Sequence, residues 1–142
     1  QARAVERVKV LTQVKARVRF LSCEPVFGEI DIDFRYAPNL EWIIAGGESG
    51  QHARPADPDW FRHLRDQSFL FGIPFFFKQW GEWDEHRVRV GKKKAGRTID
   101  GKVWSQHPPQ VTAEDRKKEE QLRFFKKLAR IDERHGKGLD LK

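Results

Sequence analysis

The chain begins with apolar residues at the spacing of a helix, and these are followed by apolar residues at the spacing of a strand. Residues 3–16 carry an apolar residue at every third position from Val5 to Val14, with charges between them, which is typical of one face of a helix. Residues 17–21 then alternate, with apolar residues that are β-branched or aromatic, and predict a strand with these positions turned inward. Pro25 cannot donate to a strand ladder, so the strand is expected to end before it.

Two further strands are predicted from continuous apolar runs. Residues 41–45 are apolar at their centre, a pattern typical of a parallel strand that is covered on both faces. Residues 73–77 predict a third buried strand, in which Pro74 is tolerated because it lies near the start. The length of chain between the first two strands favours a crossover over a hairpin. The mixed stretch 26–40 inside it forms either a short exposed strand or an irregular connection.

A helix is predicted between the second and third strands. Asp57 is a good N-cap and Pro58 suits the first helical position. An apolar face runs along this helix as far as Phe71, and Gly72 provides a stop. The order of helices and strands predicts an α/β fold, as either a partial (β/α) barrel or a parallel sheet with flanking helices.

The second half of the chain is less regular. Asp100-Gly101 is a favoured turn dipeptide and predicts a small hairpin. The stretch 113–135 has the periodicity of one amphipathic helix. We therefore assign residues 1–110 to a barrel-like domain and residues 111–142 to a C-terminal helical tail.

Composition limits the classes of function that the chain can have. Cys23 is the single cysteine, so neither an internal disulfide nor a thiolate metal site can form within this chain. The five histidines show no metal-ligand spacing, and no metal site is expected. No apolar run is long enough for a membrane span and no leader is seen, which predicts a soluble cytoplasmic protein without a membrane partner. The absence of methionine and the glutamine at position 1 indicate a fragment of a longer product.

The positive charge is concentrated in one segment. The chain carries a net charge of +7, and the residues of this basic segment are Arg87, Arg89, Lys92, Lys93, Lys94, Arg97 and Lys102. Such a cluster is typical either of a surface that binds polyanions or of a solvated surface. With Trp83 and Trp104 as stacking surfaces, it gives one hypothesis of function, a nucleic-acid-binding module.

Polar or charged residues follow all three predicted strands. Because the carboxyl ends of parallel strands open on one face of a sheet, we expect these residues to form a ligand site there. The glycine loop after the second strand lacks the spacing of a dinucleotide or triphosphate fingerprint, and a plain turn remains its alternative. Glu24 and Glu48 either accept hydrogen bonds from a ligand or form structural ion pairs with Lys78 and Arg54. The residues expected to line this site are Glu24, Gly46, Gly47, Glu48, Ser49, Arg54, Lys78 and Gln79.

Several long motifs resemble one protein family. They are Arg19–Pro25, Trp42–Gly50, Ala53–Pro55, Pro58–Trp60, Leu64–Gln67, Gly72–Gly81, Lys94–Arg97 and Asp100–Trp104. Over roughly residues 1–107 the chain resembles the C-terminal half of an uncharacterised phage-type family, named after gene products thirty-seven and sixty-eight. Members of that family resemble radical S-adenosylmethionine enzymes, in which an N-terminal cysteine cluster precedes a partial (β/α) barrel.

The resemblance implies a cofactor and a missing partner. It implies that this chain supplies the last βα units of the barrel, and that residues 43–48 lie against the adenosyl group of S-adenosylmethionine. S-adenosylmethionine and an iron–sulfur cluster are implied for the full-length protein, but this chain alone is expected to bind neither and to be inactive, with no catalytic residue assigned. The cysteine half is expected on the same gene product or on a partner chain. Self-association is a further expectation, because a half barrel leaves edge strands to be covered.

Overall fold

The computed structural model describes residues 2–110 together with residues 114, 117 and 121. The chain divides into two compact units, Gln1–Pro108 and Pro109–Lys142. The predicted helical tail falls almost entirely outside the described residues. The helices and strands of the first unit are α1 Ala2–Gln13, β1 Phe20–Cys23, β2 Trp42–Gly46, α2 Pro58–Leu70, β3 Phe75–Gln79, α3 Lys92–Ala95, β4 Thr98–Ile99 and β5 Lys102–Val103.

The three longer strands form one parallel sheet in the order β1-β2-β3. Leu21 lies opposite Ile43, and Ile43 lies opposite Phe75, so each strand sits beside the next one in the chain. This arrangement confirms the predicted α/β fold with a parallel sheet and flanking helices. Within the described residues the sheet does not close into a barrel. The crossover from β1 to β2 is irregular, with one 3-10 turn at Phe34–Tyr36, so it contains no additional strand.

Helix α2 covers one face of the sheet and supplies much of the core. Phe61 and Leu64 are fully buried, as are Ile43, Phe75 and Phe77 of the sheet. The ring of Phe61 contacts that of Phe77 edge to face, with centroids 5.0 Å apart, a favourable geometry for aromatic pairs. The predicted cap is confirmed, because the Asp57 side chain accepts a hydrogen bond from the backbone of the first helical turn.

One position on the predicted apolar face of α2 is not buried. Phe71 follows the last residue of the helix and keeps 53 % of its surface exposed. Its ring stacks on Phe34 of the crossover at a centroid distance of 3.9 Å. The prediction for Phe71 was wrong because the helix ends at Leu70, so the helical period no longer directs the next side chain to the sheet.

A small hairpin attaches the second half of the unit to helix α2. Asp100 and Gly101 both have positive φ angles, 54° and 70°, as the predicted turn between β4 and β5 requires. Asp100 accepts hydrogen bonds from Arg62 and Arg65 of α2, at 2.9 Å and 2.6 Å. These two guanidinium groups hold the pKa of the Asp100 carboxyl below its usual range. The hairpin is therefore fixed to the helix that covers the sheet.

The segment after the hairpin covers the outer edge of β3. Phe77 donates its backbone N–H to the Trp104 carbonyl at 3.0 Å, and Gln106 donates to the Phe75 carbonyl at 3.1 Å. Ser105 lies opposite Phe76 in an antiparallel bridge. These bonds occupy the edge that β3 would otherwise present to solvent.

A search of the described residues for membrane-spanning helices found none of the necessary length and apolar character.

We predict that Phe61→Ala lowers the free energy of unfolding by about 3–5 kcal/mol, because it removes a fully buried ring from the contact between α2 and β3. Phe69→Ala is the matched control, since Phe69 lies on the same helix and is 73 % exposed. Its effect is expected within about 0.5 kcal/mol. Urea denaturation of both variants checks this, and equal effects would contradict the placement of α2.

Candidate functional site

The carboxyl ends of the three parallel strands meet, as the sequence predicted, and their side chains contact one another. Glu24 directly follows β1, and Lys78 lies near the end of β3. The Lys78 ammonium donates to Glu24 Oε2 at 2.9 Å. Gln79 of β3 donates its side-chain amide to the Ser49 hydroxyl, beyond β2, at 3.1 Å. Both contacts link a strand to a neighbouring loop at the same edge, which we call the strand-end site.

Gly46 makes the contact between Glu24 and Lys78 sterically possible. β2 lies between β1 and β3, so the pair must pass across its last residue. A Cβ at Gly46 would lie 2.9 Å from Glu24 Oε1, which is closer than such a contact allows. The missing side chain therefore leaves the space that the Glu24 carboxyl occupies.

Gly47 lets the backbones after β2 and β3 run side by side. A Cβ at Gly47 would lie 1.9 Å from the Trp80 carbonyl oxygen, and one at Gly81 would lie 2.0 Å from the Glu48 carbonyl oxygen. Gly47 donates its N–H to the Gln79 carbonyl at 2.9 Å, and Glu82 donates to the Glu48 carbonyl at 3.1 Å. The glycines are required by this close approach, so the loop is more than a plain turn.

Glu48 is engaged by Arg54. The Arg54 guanidinium donates to both Glu48 carboxylate oxygens, at 2.9 Å and 3.1 Å, and the Arg54 backbone N–H adds a third bond at 2.8 Å. These hydrogen bonds hold the pKa of the Glu48 carboxyl below its usual range. Arg54 also stacks on Phe27, 3.7 Å from the ring centroid. The pair closes the loop from residue 48 to residue 54, and it engages both oxygens of the Glu48 carboxylate.

Glu24 keeps one carboxylate oxygen without a hydrogen-bond partner. Its Oε2 accepts from Lys78, whereas Oε1 is buried and unpaired. Of the described residues, only Glu85, outside the strand-end site, shares this property. A buried carboxylate oxygen without a donor is destabilising. Glu24 Oε1 is therefore a buried acceptor to which none of the described residues donates a hydrogen bond.

A cavity of about 330 Å³ lies beside the end of β1. Ser22, Cys23 and Glu24 line it together with residues of α1 and the crossover. Burial, and secondarily the charge of Glu24, raises the pKa of the Cys23 thiol to about 11. A thiol with this pKa is protonated at neutral pH and makes a poor metal ligand.

The aromatic rings next to the basic segment are covered by its own cations. The Arg89 guanidinium lies 6.0 Å from the Trp83 ring centroid, and the Lys102 ammonium lies 4.4 Å from that of Trp104. The Trp83 indole also donates to the Ala53 carbonyl at 2.8 Å. These contacts leave the two predicted stacking surfaces partly occupied.

Other cations of the basic segment divide into fixed and exposed groups. Arg97 hydrogen-bonds the Ser105 hydroxyl and lies 5.1 Å from the Phe76 ring centroid. The three consecutive lysines of α3, which are Lys92, Lys93 and Lys94, are exposed, and so is Arg87.

Sequence spacing missed one group of polar residues. His63 of α2 lies beside Glu29 and Asp31 of the crossover, with Nε2 2.7 Å from Asp31 Oδ1 and 3.6 Å from Glu29 Oε1. Acids at alternate positions of an irregular segment are a weak signal by themselves. The crossover brings these two acids to the helix, but its sequence has no periodicity from which this approach could have been predicted.

Comparison with known proteins gives one match. A family model described as "Protein of unknown function (DUF5131)" matches residues 1–108. No curated protein and no solved structure matches the chain.

We predict that alkylation of Cys23 by iodoacetamide is slow at neutral pH and accelerates up to about pH 11. Since the usual thiol value is 9.0 and that of Cys23 is about 11, the thiolate fraction at pH 7 is about a hundredfold below that of an ordinary thiol. Because Cys23 is the single cysteine, mass spectrometry of the intact chain measures the rate directly. The chain unfolded in urea is the control, and a native rate that levels off near pH 9 would contradict the burial.

Proposed function

The chain belongs to DUF5131, a family of proteins of unknown function, and we propose that its sheet is the late part of a partial (β/α) barrel that binds S-adenosylmethionine at its strand-end site. The proposal has two supports, the order of the strands and the state of Glu24. The reaction itself is left unassigned.

The order of the strands agrees with a barrel segment. In a (β/α) barrel each strand lies beside the next one in the chain, as the three strands in one half of a doubly wound sheet also do, before its order reverses at the switch point. The order β1-β2-β3 is sequential and parallel. In both architectures the ligands bind at the carboxyl ends of the strands, where Glu24 and Lys78 meet.

The unpaired Glu24 oxygen is the observation that carries the proposal. S-adenosylmethionine has an α-ammonium group and ribose hydroxyls that can donate to a carboxylate, and an α-carboxylate that can pair with an ammonium. Glu24 Oε1 is a buried acceptor without a donor, and Lys78 supplies the neighbouring cation. Ser49 and Gln79 add neutral polar groups at the same edge. Gly46 and Gly47 allow close approach, and Glu48 with Arg54 holds the loop that carries Ser49.

The residues of this chain do not fit an iron–sulfur cluster. Such clusters are held by several cysteine thiolates, and Cys23 is the single cysteine, with its pKa raised to about 11. We therefore derive no step through a cluster. The cysteine half of the proposed enzyme would have to come from another part of the gene product or from a partner chain.

We predict that this chain joined to its cysteine half binds S-adenosylmethionine saturably, and that Glu24→Gln weakens this binding at least about tenfold, because the variant loses a charge-assisted hydrogen bond. Equilibrium dialysis with labelled cofactor measures both affinities. Glu6→Gln is the matched control, since Glu6 is an exposed carboxylate of α1 and its loss should leave the affinity unchanged.

Two results of the dialysis would overturn the proposal. One is the absence of saturable binding to the wild-type chain joined to its cysteine half. The other is equal affinity of the wild-type and Glu24→Gln chains, both of which should first be shown to be folded by circular dichroism. Either result would leave Glu24 and Lys78 as a structural ion pair.

The exposed lysines of α3 support a second candidate function, contact with nucleic acid. Three consecutive lysines are exposed there, and Arg87, five residues before the first of them, is exposed as well. Because Arg89 and Lys102 already lie over Trp83 and Trp104, we propose contact with the phosphate backbone rather than stacking of bases. Such binding depends steeply on salt.

We predict that the triple variant Lys92→Gln, Lys93→Gln, Lys94→Gln binds single-stranded DNA more weakly than the wild-type chain. Three fewer phosphate contacts should make the slope of log affinity against log salt shallower by about two. Fluorescence anisotropy with a labelled oligonucleotide over a salt series measures it, with the exposed Lys15→Gln as control. An unchanged slope, or no binding at low salt, would exclude these lysines as a nucleic-acid surface.

A further inference from the structure

Glu29, Asp31 and His63 place three ligand atoms around one point. His63 lies in α2, whereas the two acids lie in the crossover between β1 and β2. One atom from each residue, the imidazole nitrogen and two carboxylate oxygens, lies within 4.8 Å of the other two. The acids are exposed and His63 is half-buried, so an ion can reach the group from solvent.

We propose that these three residues form a binding site for a divalent cation, which we call the crossover site. It does not depend on the proposed function, because none of its residues belongs to the strand-end site. Two ligands of one cation with bonds of about 2.0–2.2 Å lie about 3–4 Å apart. Small side-chain rotations would therefore bring the three atoms into one coordination sphere.

The donor set indicates the class of cation. One imidazole and two carboxylates suit borderline divalent ions that accept both nitrogen and oxygen, such as Zn²⁺, Mn²⁺ or Fe²⁺. Ca²⁺ and Mg²⁺ prefer oxygen alone. Three protein ligands leave at least one coordination position for water or another small ligand, as in catalytic rather than closed structural metal sites.

Gln67 fixes the backbone on both sides of Asp31 to the helix that carries His63. Its side-chain amide donates to the Ile30 carbonyl at 2.8 Å, and its amide oxygen accepts from the Ile32 N–H at 2.8 Å. Gln67 lies one turn after His63 on α2. Gln67 thereby holds the two segments that carry the ligands in fixed positions relative to each other. Outer-sphere residues orient the ligands of metal sites in the same way.

The crossover site shares a side chain with a cavity. Asp31 also lines the cavity of about 330 Å³ that Ser22, Cys23 and Glu24 border at the end of β1. An ion held by Asp31 would thus adjoin a space large enough for a small polar ligand. Of the three ligand residues, Asp31 alone lines this cavity.

The test is a titration of the tag-free chain with Zn²⁺ and with Mn²⁺ by isothermal calorimetry. The expected result is one saturable site for at least one of the two ions. His63→Gln and Asp31→Asn should each lower the affinity at least tenfold, since each removes a ligand. His52→Gln is the matched control, because His52 is an exposed histidine outside the group, and it should bind as the wild-type chain does.

Thermal unfolding with and without metal gives a second readout. A ligand that binds only the folded chain raises its unfolding temperature, so Zn²⁺ should stabilise the wild-type and His52→Gln chains more than the His63→Gln chain. Should His63→Gln fail to fold, Glu29→Gln and Asp31→Asn change exposed residues and carry the same comparison. The absence of saturable binding by either ion, or equal affinities in the wild-type and ligand variants, would overturn the site.

Discussion

The strand-end site depends on a reciprocal backbone contact between two glycines. Gly47 packs against the Trp80 carbonyl and Gly81 against the Glu48 carbonyl, at distances that leave no room for a Cβ. This contact extends the pairing of β2 and β3 beyond the ends of the strands. Any side chain at either position would separate the two loops, and Gln79 would lose its contact with Ser49. The positions of the polar groups at this edge are therefore determined mainly by the backbone contact between the two loops, and secondarily by the ion pairs.

The charged side chains at this edge are mostly neutralised by one another. Glu48 is held by Arg54 through both of its oxygens, and one oxygen of Glu24 is held by Lys78. A carboxylate with every acceptor occupied fixes a loop, whereas one with a buried, unpaired oxygen is open to a further donor. Glu24 and Glu48 therefore differ in their free hydrogen-bonding capacity, although both acids follow a strand and are alike in sequence position.

Local signals in the sequence predicted the elements well, and some long-range contacts escaped them. The Asp57 cap and the Asp100-Gly101 turn were confirmed because such signals act within a few residues. The third strand was predicted at 73–77 but forms two residues later, since Pro74 contributes only its carbonyl, to the Ile43 N–H. The contact of Lys78 with Glu24 was one of the two alternatives for these residues, because parallel strands bring their carboxyl ends to one edge. The approach of His63 to the crossover depends on the chain path and does not follow from periodicity.

The two edges of the parallel sheet differ. The segment from Trp104 to Gln106 runs antiparallel along β3, while among the described residues β1 pairs with β2 alone. A closed ring of strands would need the edge of β3, and that edge is taken. Of the two edges that the described residues define, the edge of β1 is therefore the one at which a further parallel strand can pair.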